Sequence, residues 1–215
     1  MRLIVLNAGD SFKLDGFNKL LLKNPETNNT IIEEYEEKYK IKDIDIVVGF
    51  NAIPLMNKFP KYNYIYNSKW QITSNSYSLA LALSYEPTIV TSSDFFISDK
   101  LIKEMNKFEN CVVIKDHDNK NLSALNVNIK NNKIIRIYKG KSLGLDLELL
   151  GIFKISDENI LKQWKKNCLL NPEKYVGENL PFLEKINIIK VSNEDVYEIN
   201  ELQDFINFLS RKRVK

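Results

Sequence analysis

Residues 2–14 read Arg2-Leu3-Ile4-Val5-Leu6-Asn7-Ala8-Gly9-Asp10-Ser11-Phe12-Lys13-Leu14. The run from Arg2 to Asn7 has the length and apolar character of a buried strand, and it stops at a turn of small residues. In open α/β sheets, ligands bind beyond the carboxyl ends of the strands. Ala8 and Gly9 are small enough to let a ligand approach the backbone, and the N–H groups of such a turn can face anionic oxygens. Lys13 and Lys19 then add positive charge. Taken alone, the pattern is also what an ordinary turn followed by exposed lysines looks like.

The following hundred residues repeat the alternation of apolar run and helical pattern. Ile31–Tyr39 is predicted helical, with Thr30 as N-cap and Glu33 in capping-box position. Asp45–Gly49 is a second strand, Asn51–Lys58 a short helix, and Tyr62–Tyr66 a third strand. Ser76–Tyr85 is a helix with Leu79, Leu83 and the neighbouring alanines on its buried side. Thr88–Thr91 is a fourth strand, Ser98 caps a helix through Lys107, and Val112–Lys115 is a fifth strand. Strand–helix alternation at this spacing predicts βαβ units and a mostly parallel, Rossmann-like mixed sheet with helices on both faces.

The second half changes character. Leu122–Ile129 and Lys133–Tyr138 read as a hairpin about a polar turn at Lys130, Asn131 and Asn132. Leu147–Ile155 is a strand and Ser156 to about Asn167 a helix, with a loop over Asn171–Gly177. Ile186–Val191 and Val196–Ile199 are short strands, and Leu202–Arg211 is a closing helix. The expected organisation is one domain spanning 1–215. A nucleotide-binding part covers about 1–115, and an acceptor-binding, metal-completing part with a small β-rich insertion covers about 116–215.

Composition excludes several function classes. The chain has 215 residues, 44% hydrophobic and 27% charged, which is globular rather than disordered. A net charge of +3 is small for this length, so neither a nucleic acid nor a membrane is implied as partner. The basic residues Arg211, Lys212, Arg213 and Lys215 read as a solvated tail. Cys111 and Cys168 form no CxxC pair, and Cys111 reads as a small buried hydrophobe, which agrees with a reducing compartment. The N-terminal run lacks the features of a signal peptide, and no apolar stretch approaches the ~20 residues of a membrane span. The expected location is the cytoplasm. The single histidine, His117, lies between Asp116 and Asp118 and reads as part of a polar turn. Oligomeric state is not legible.

Leu6-Asn7-Ala8-Gly9-Asp10-Ser11-Phe12-Lys13-Leu14 resembles the L-A-A-G-x-G-x-R-L signature of the sugar-nucleotide and phosphocholine-type nucleotidyltransferases, which have a GT-A-like fold. Leu6, Ala8, Gly9 and Leu14 match. Asn7 stands for an alanine, Ser11 for the second glycine and Lys13 for the arginine, whose bidentate fork a lysine cannot copy. Asn18-Lys19-Leu20-Leu21 stands where the family has P-K-x-L. The resemblance continues through Gly49 at the end of the second strand and through Trp70-Gln71-Ile72-Thr73-Ser74-Asn75-Ser76-Tyr77-Ser78-Leu79, similar to the segment beneath the base in cytidylyltransferases. It extends to Ile89-Val90-Thr91-Ser92-Ser93-Asp94, whose acid matches a Mg²⁺ ligand, and to Arg136-Ile137-Tyr138-Lys139. Glu148-Leu149-Leu150-Gly151 resembles the strand lining the acceptor pocket. In Val196-Tyr197-Glu198-Ile199-Asn200, the last residue matches the second metal ligand. Asp99 gives no DxD motif with Asp94, which counts against a glycosyltransferase of related fold.

The resemblance implies a nucleotidyltransferase that uses Mg²⁺ or Mn²⁺ held by Asp94 and Asn200. The substrates it implies are CTP and a small phosphorylated acceptor (phosphoglutamine, a phosphocholine-like compound or a sugar phosphate), in a surface-polysaccharide or capsule setting. Lys19, Lys13 and Lys139 take the catalytic roles. Leu6, Ala8, Gly9, Ser11, Thr73, Ser74, Asn75 and Ser93 line the nucleotide, and Lys139, Glu148 and Gly151 the acceptor. Two alternatives stay open at this point: a UTP- or GTP-dependent sugar-phosphate enzyme, and a catalytically weak nucleotide-binding regulator suggested by Ser11 and Lys13.

Overall fold

A computed structural model describes residues 1–116, 124–141 and 146–211. His117, Asp118 and the basic tail at Lys212, Arg213 and Lys215 lie outside them. Strand β1 (Arg2–Asn7) sits inside the sheet, paired in parallel with β2 (Ile44–Val48) on one side and β4 (Thr88–Ser92) on the other. Beyond β2 lies β3 (Asn63–Tyr66), also parallel. On the far side of β4 runs β9 (Leu147–Ile155), antiparallel both to β4 and to β6 (Cys111–Asp116), and β10 (Asn187–Lys190) closes that edge in parallel with β6. The resulting strand order is β10-β6-β9-β4-β1-β2-β3. This is the mixed, mostly parallel sheet that the alternation of elements predicts.

The strands are apolar on both faces, as helix-covered parallel strands must be. Leu3 and Val5 of β1 point into one core with α1 (Ile31–Tyr39), α4 (Asp99–Met105) and Phe208 of α6 (Leu202–Arg211). Ile4 and Leu6 point into the other, with α3 (Asn75–Ala82) and α5 (Glu158–Leu170), whose Trp164 is wholly buried. Both cysteines are buried and free.

Local chemistry sets the element boundaries. Thr30 and Glu33 form the expected capping box on α1, and Ser98 caps α4 through the Leu101 amide. Helix α5 starts and ends later than expected, because the carboxylate of Asp157 accepts from the Asn159 and Ile160 amides and fixes the first turn there. Helix α2 (Ile53–Lys58) begins after Asn51, whose φ of 46° is not helical. Strand β7 (Leu125–Lys130) and β8 (Lys133–Lys139) form the expected hairpin. The hairpin also joins the main sheet, because β7 pairs with β9 from Leu125↔Leu149 to Val127↔Leu147. The sequence reading missed β5 (Phe95–Ile97), which pairs antiparallel with β11 (Val196–Glu198) in a two-stranded sheet of its own. Among the described residues, no helix is long and apolar enough to cross a membrane.

Candidate active site

The carboxyl ends of β1, β2, β3 and β4 open into a cleft of about 590 Å³. Leu6, Ala8, Gly9 and Ser11 line it from the first loop, Thr73, Ser74 and Asn75 from the start of α3, and Ser93 and Asp94 from the end of β4. Every residue expected to line the nucleotide is therefore gathered in one cavity. A Cβ on Gly9 would meet nothing within 4 Å, so the fold does not require glycine there and the turn leaves room beside its backbone. Gly49 differs: a Cβ there would fall 2.5 Å from the Ala8 carbonyl oxygen and 2.8 Å from the Trp70 side chain. That close approach seats Phe50, whose amide donates to Ala8 at 3.0 Å. Phe12, Phe50 and Trp70 make edge-on contacts in series along the cleft, with centroids 5.2 and 5.5 Å apart.

Two buried asparagines hold the cleft in shape, and neither was singled out as a site residue. The Asn18 side-chain oxygen caps the 3₁₀ turn Lys19–Leu21 by accepting from the Leu20 amide, and it also accepts from Asn7 at the end of β1. Asn67 is fully buried after β3. It accepts from the Lys69 amide at 2.8 Å and donates to Ser78 of α3 at 3.0 Å, so it ties the 69–73 loop to the helix. In sequence such an asparagine looks like any turn residue. The hydroxyl of Thr73 donates to the Lys69 carbonyl at 2.8 Å. Its proton is thereby committed; its oxygen accepts a long contact from the Asn67 amide at 3.5 Å and keeps a lone pair for another donor. The Asn75 side-chain oxygen accepts from the Val176 amide at 2.9 Å and fastens the 171–177 loop over the start of α3.

A second cavity of about 210 Å³ adjoins the first and shares Asn75, Ser92, Asp94 and Tyr175 with it. Glu148, Gly151 and Asn200 line it, as does Glu198, which the sequence reading did not single out. Gly151 has a packing reason as well as a place in the wall, because a Cβ on it would collide with the Ser92 hydroxyl across the β4–β9 pair.

Asp94 stands where the cavities meet. The β5–β11 pair brings Asn200 to it from far along the chain, and the Ile199 amide donates to the Asp94 carbonyl at 2.8 Å. From behind, the wholly buried Tyr35 of α1 clasps the turn: its hydroxyl donates to Ser92 O at 2.9 Å and accepts from the Phe95 amide at 3.3 Å. The Asp94 carboxylate is 3.5 Å from the Lys19 ammonium. Burial raises its pKa above the ordinary aspartate value, Lys19 opposes that shift, and Glu198 adds to it. Its Oδ1 is buried without a hydrogen-bond partner. An orphaned carboxylate oxygen and an asparagine side chain lining the same cavity offer the hard oxygen donors that Mg²⁺ or Mn²⁺ takes. Among the described residues, no group of three or more His, Cys, Asp and Glu could hold a metal.

The other expected lysines are placed differently. Lys139 ends β8 and lines neither cavity, but its ammonium lies 3.0 Å from the hydroxyl and 4.4 Å from the ring centre of Tyr175, which lines both. Lys13 lies in the 3₁₀ turn Phe12–Leu14, is exposed, and lines neither cavity.

No protein-family model and no curated protein matches the sequence. Solved structures do match in shape. A glucose-1-phosphate thymidylyltransferase from Bacillus anthracis superposes with a TM-score of 0.74 at 18% identity, over 100% of this chain and 96% of that one. The CTP:phosphocholine cytidylyltransferase of Streptococcus pneumoniae gives 0.70 at 17%, over 98% of both chains. The inositol-1-phosphate CTP transferase of T. maritima gives 0.69 at 14%, over 99% and 96%. At these identities what is shared is the fold. The chain has the GT-A-like nucleotidyltransferase fold, with its cleft at the carboxyl ends of the parallel strands.

Proposed function

We propose that the protein transfers a nucleoside monophosphate from an NTP, CTP in our reading, to a small phosphorylated acceptor and releases pyrophosphate. The observation that carries this reading is the meeting of two cavities at Asp94, a polar cleft of nucleotide size and a smaller pocket lined by two of the expected acceptor residues, Glu148 and Gly151. The NTP lies in the first cavity and the acceptor in the second.

The chemistry asks little of side chains. The acceptor phosphate is already an anion at neutral pH, so it needs no general base. One of its oxygens bonds to the α-phosphorus, the bond from that phosphorus to the bridging oxygen breaks, and pyrophosphate leaves. The protein must hold two anions in line and offset the charge that builds. Lys19, close to Asp94 and inside the cleft, faces the triphosphate. Lys139, beside Tyr175 at the junction, orients the acceptor phosphate. Asp94 and Asn200 would hold Mg²⁺ or Mn²⁺, which supplies charge neutralisation and a template for the phosphates. Lys13 sits outside both walls and is assigned the leaving pyrophosphate only as an outer charge.

Thr73 supports cytosine as the base. With its proton committed to Lys69, its oxygen can accept from the cytosine amino group but offers nothing to the uracil O4. Among acceptors, phosphoglutamine, phosphocholine-like compounds and sugar phosphates fit the phosphate requirement, and a place in capsule or surface-polysaccharide modification belongs to the same reading. A UTP-dependent sugar-phosphate enzyme is the second reading. It is favoured by the shape match to a UDP-glucose pyrophosphorylase, with a TM-score of 0.72 at 13% identity.

Pyrophosphate release with CTP, UTP, ATP and GTP against a panel of acceptor phosphates tests the proposal. Release that needs both an NTP and a phosphorylated acceptor is expected, fastest with CTP. NTP binding with no release for any acceptor would instead make the chain a nucleotide-binding regulator.

A further inference from the structure

Lys115 is the next-to-last residue of β6. In the fold its ammonium lies 2.9 Å from the carboxylate of Glu198 on β11 and 3.5 Å from that of Glu148 on β9. Its side chain is only 18% exposed. Both glutamates line the second cavity, whereas Lys115 does not and stands behind them. Three strands distant in sequence thus converge on one cation, and Asp94 is close enough for Glu198 to affect its titration.

We propose that Lys115 is a positioning residue whose ion pairs aim the carboxylates of Glu148 and Glu198 into the second cavity. There the two carboxylates read hydrogen-bond donors on the body of the acceptor. This inference rests on the reading of that cavity as the acceptor site and narrows its substrate class. An ionised carboxylate only accepts hydrogen bonds. The acceptor body therefore has to offer N–H or O–H groups to both carboxylates while its phosphate faces Lys139. Hydroxyls, a primary ammonium or an amide satisfy this. A quaternary ammonium does not, because it carries positive charge without a donor.

Two pairs of probes isolate the donor: ethanolamine phosphate against choline phosphate, and glucose 1-phosphate against 2-deoxyglucose 1-phosphate. In at least one pair, the wild-type protein should favour the donor-bearing member by about tenfold or more in kcat/KM, the effect of one buried group left unpaired. Lys115→Met should raise KM for that member by about tenfold with a smaller change in kcat, and should erase most of the preference. NTP affinity by calorimetry should stay near wild type. Lys115→Arg, which keeps the charge, should restore the preference, and Glu198→Gln should lower it without removing the lysine. Because Lys115→Met could loosen the three strands, thermal unfolding of each variant is measured alongside. Equal use of both members of each pair by wild type overturns the inference and leaves the transferase reading standing. A Lys115→Met variant that loses thermal stability yet keeps the full preference also overturns it, by showing a scaffold role only. A wild-type protein inert with every NTP and phosphate removes the transferase reading, and this inference with it.

Discussion

The two cavities that meet at Asp94 are built from different materials. The larger is walled mostly by loops that follow parallel strands, and its polar groups are largely backbone, amide and hydroxyl, fixed by Asn18, Asn67 and Thr73. The smaller takes much of its wall from antiparallel strands, and its polar groups include three carboxylates, two of them paired with the half-buried Lys115. Neutral, preset hydrogen-bonding groups suit recognition of a base, where shape and donor–acceptor polarity decide. Opposed charges suit an acceptor whose body must be told apart from other phosphates. The contrast shows that one sheet can carry two recognition chemistries when a single reversed strand, β9, divides it.

The most severe way to break the comparison is to remove the residue both cavities share. Asp94→Ala should leave the fold intact and lower kcat by about 10²–10³ or more, the scale on which loss of one preorganised electrostatic group acts. A folded Asp94→Ala protein with wild-type rates would sink the assignment of the junction as the reacting centre. Adding EDTA to the wild-type protein should abolish pyrophosphate release in the same way.

A smaller effect separates the two sides. Lys19→Ala should weaken NTP binding by about tenfold to a hundredfold, the loss of one charge-assisted contact. Lys139→Ala should act mainly on acceptor KM or on kcat, with NTP affinity nearly retained. Titration calorimetry with a non-hydrolysable NTP decides. Strong weakening in Lys139→Ala and none in Lys19→Ala would reverse the division. Within the larger cavity alone, wild type should favour CTP over UTP by about tenfold to a hundredfold in kcat/KM. Thr73→Val keeps the shape and removes the oxygen, so it should flatten that ratio while leaving acceptor KM unchanged.

The two sides also differ in how much of them the sequence reveals. In the larger cavity, groups leave strand ends one after another along the chain, so a pass from Leu6 to Asp94 meets them in order, and the glycine turn, the start of α3 and the acid after β4 are all legible. Strands β1 and β9 are legible too, since a buried strand announces itself by an apolar run. The smaller cavity depends on contacts made across the chain. Strand β5 is three residues long and has no pattern of its own until β11 pairs with it, about a hundred positions later. Lys115 and Glu198 look like solvated charges because nothing local says that they face each other. Asn67 and Tyr35 act through backbone groups of distant loops, and sequence does not record which backbone a side chain will meet. The hairpin's attachment to β9 escaped for the same reason.

The smallest expected effect concerns stability rather than rate. Burial raises the pKa of Asp94, Lys19 opposes the shift without cancelling it, and Glu198 adds to it. The folded chain therefore holds this proton to higher pH than the unfolded chain does. Where the folded state binds more protons, stability falls as pH rises. The penalty is absent below the ordinary aspartate pKa, grows as pH climbs through the raised value, and is fully present above it. Asp94→Asn has nearly the same shape and no charge to desolvate, so in metal-free buffer at neutral pH it should unfold at a higher temperature than wild type. The gain is bounded by what Lys19 loses, since that ammonium gives up its anionic partner Asp94 and keeps an amide oxygen in its place. About 1 kcal/mol moves Tm by roughly 2–4 °C in a chain of this size, which sets the scale of the rise. The advantage should shrink as the pH is lowered towards the ordinary carboxylate range, because wild-type Asp94 then becomes neutral as well. Adding Mg²⁺ with CTP should reverse the order, stabilising wild type more than Asp94→Asn, because the carboxylate then has a charge to meet. A Tm difference of the opposite sign in metal-free buffer, or one flat across pH, would mean that Lys19 fully compensates the buried carboxylate. Asp94 would then be half of a structural ion pair rather than a charge held ready at the junction of the two cavities.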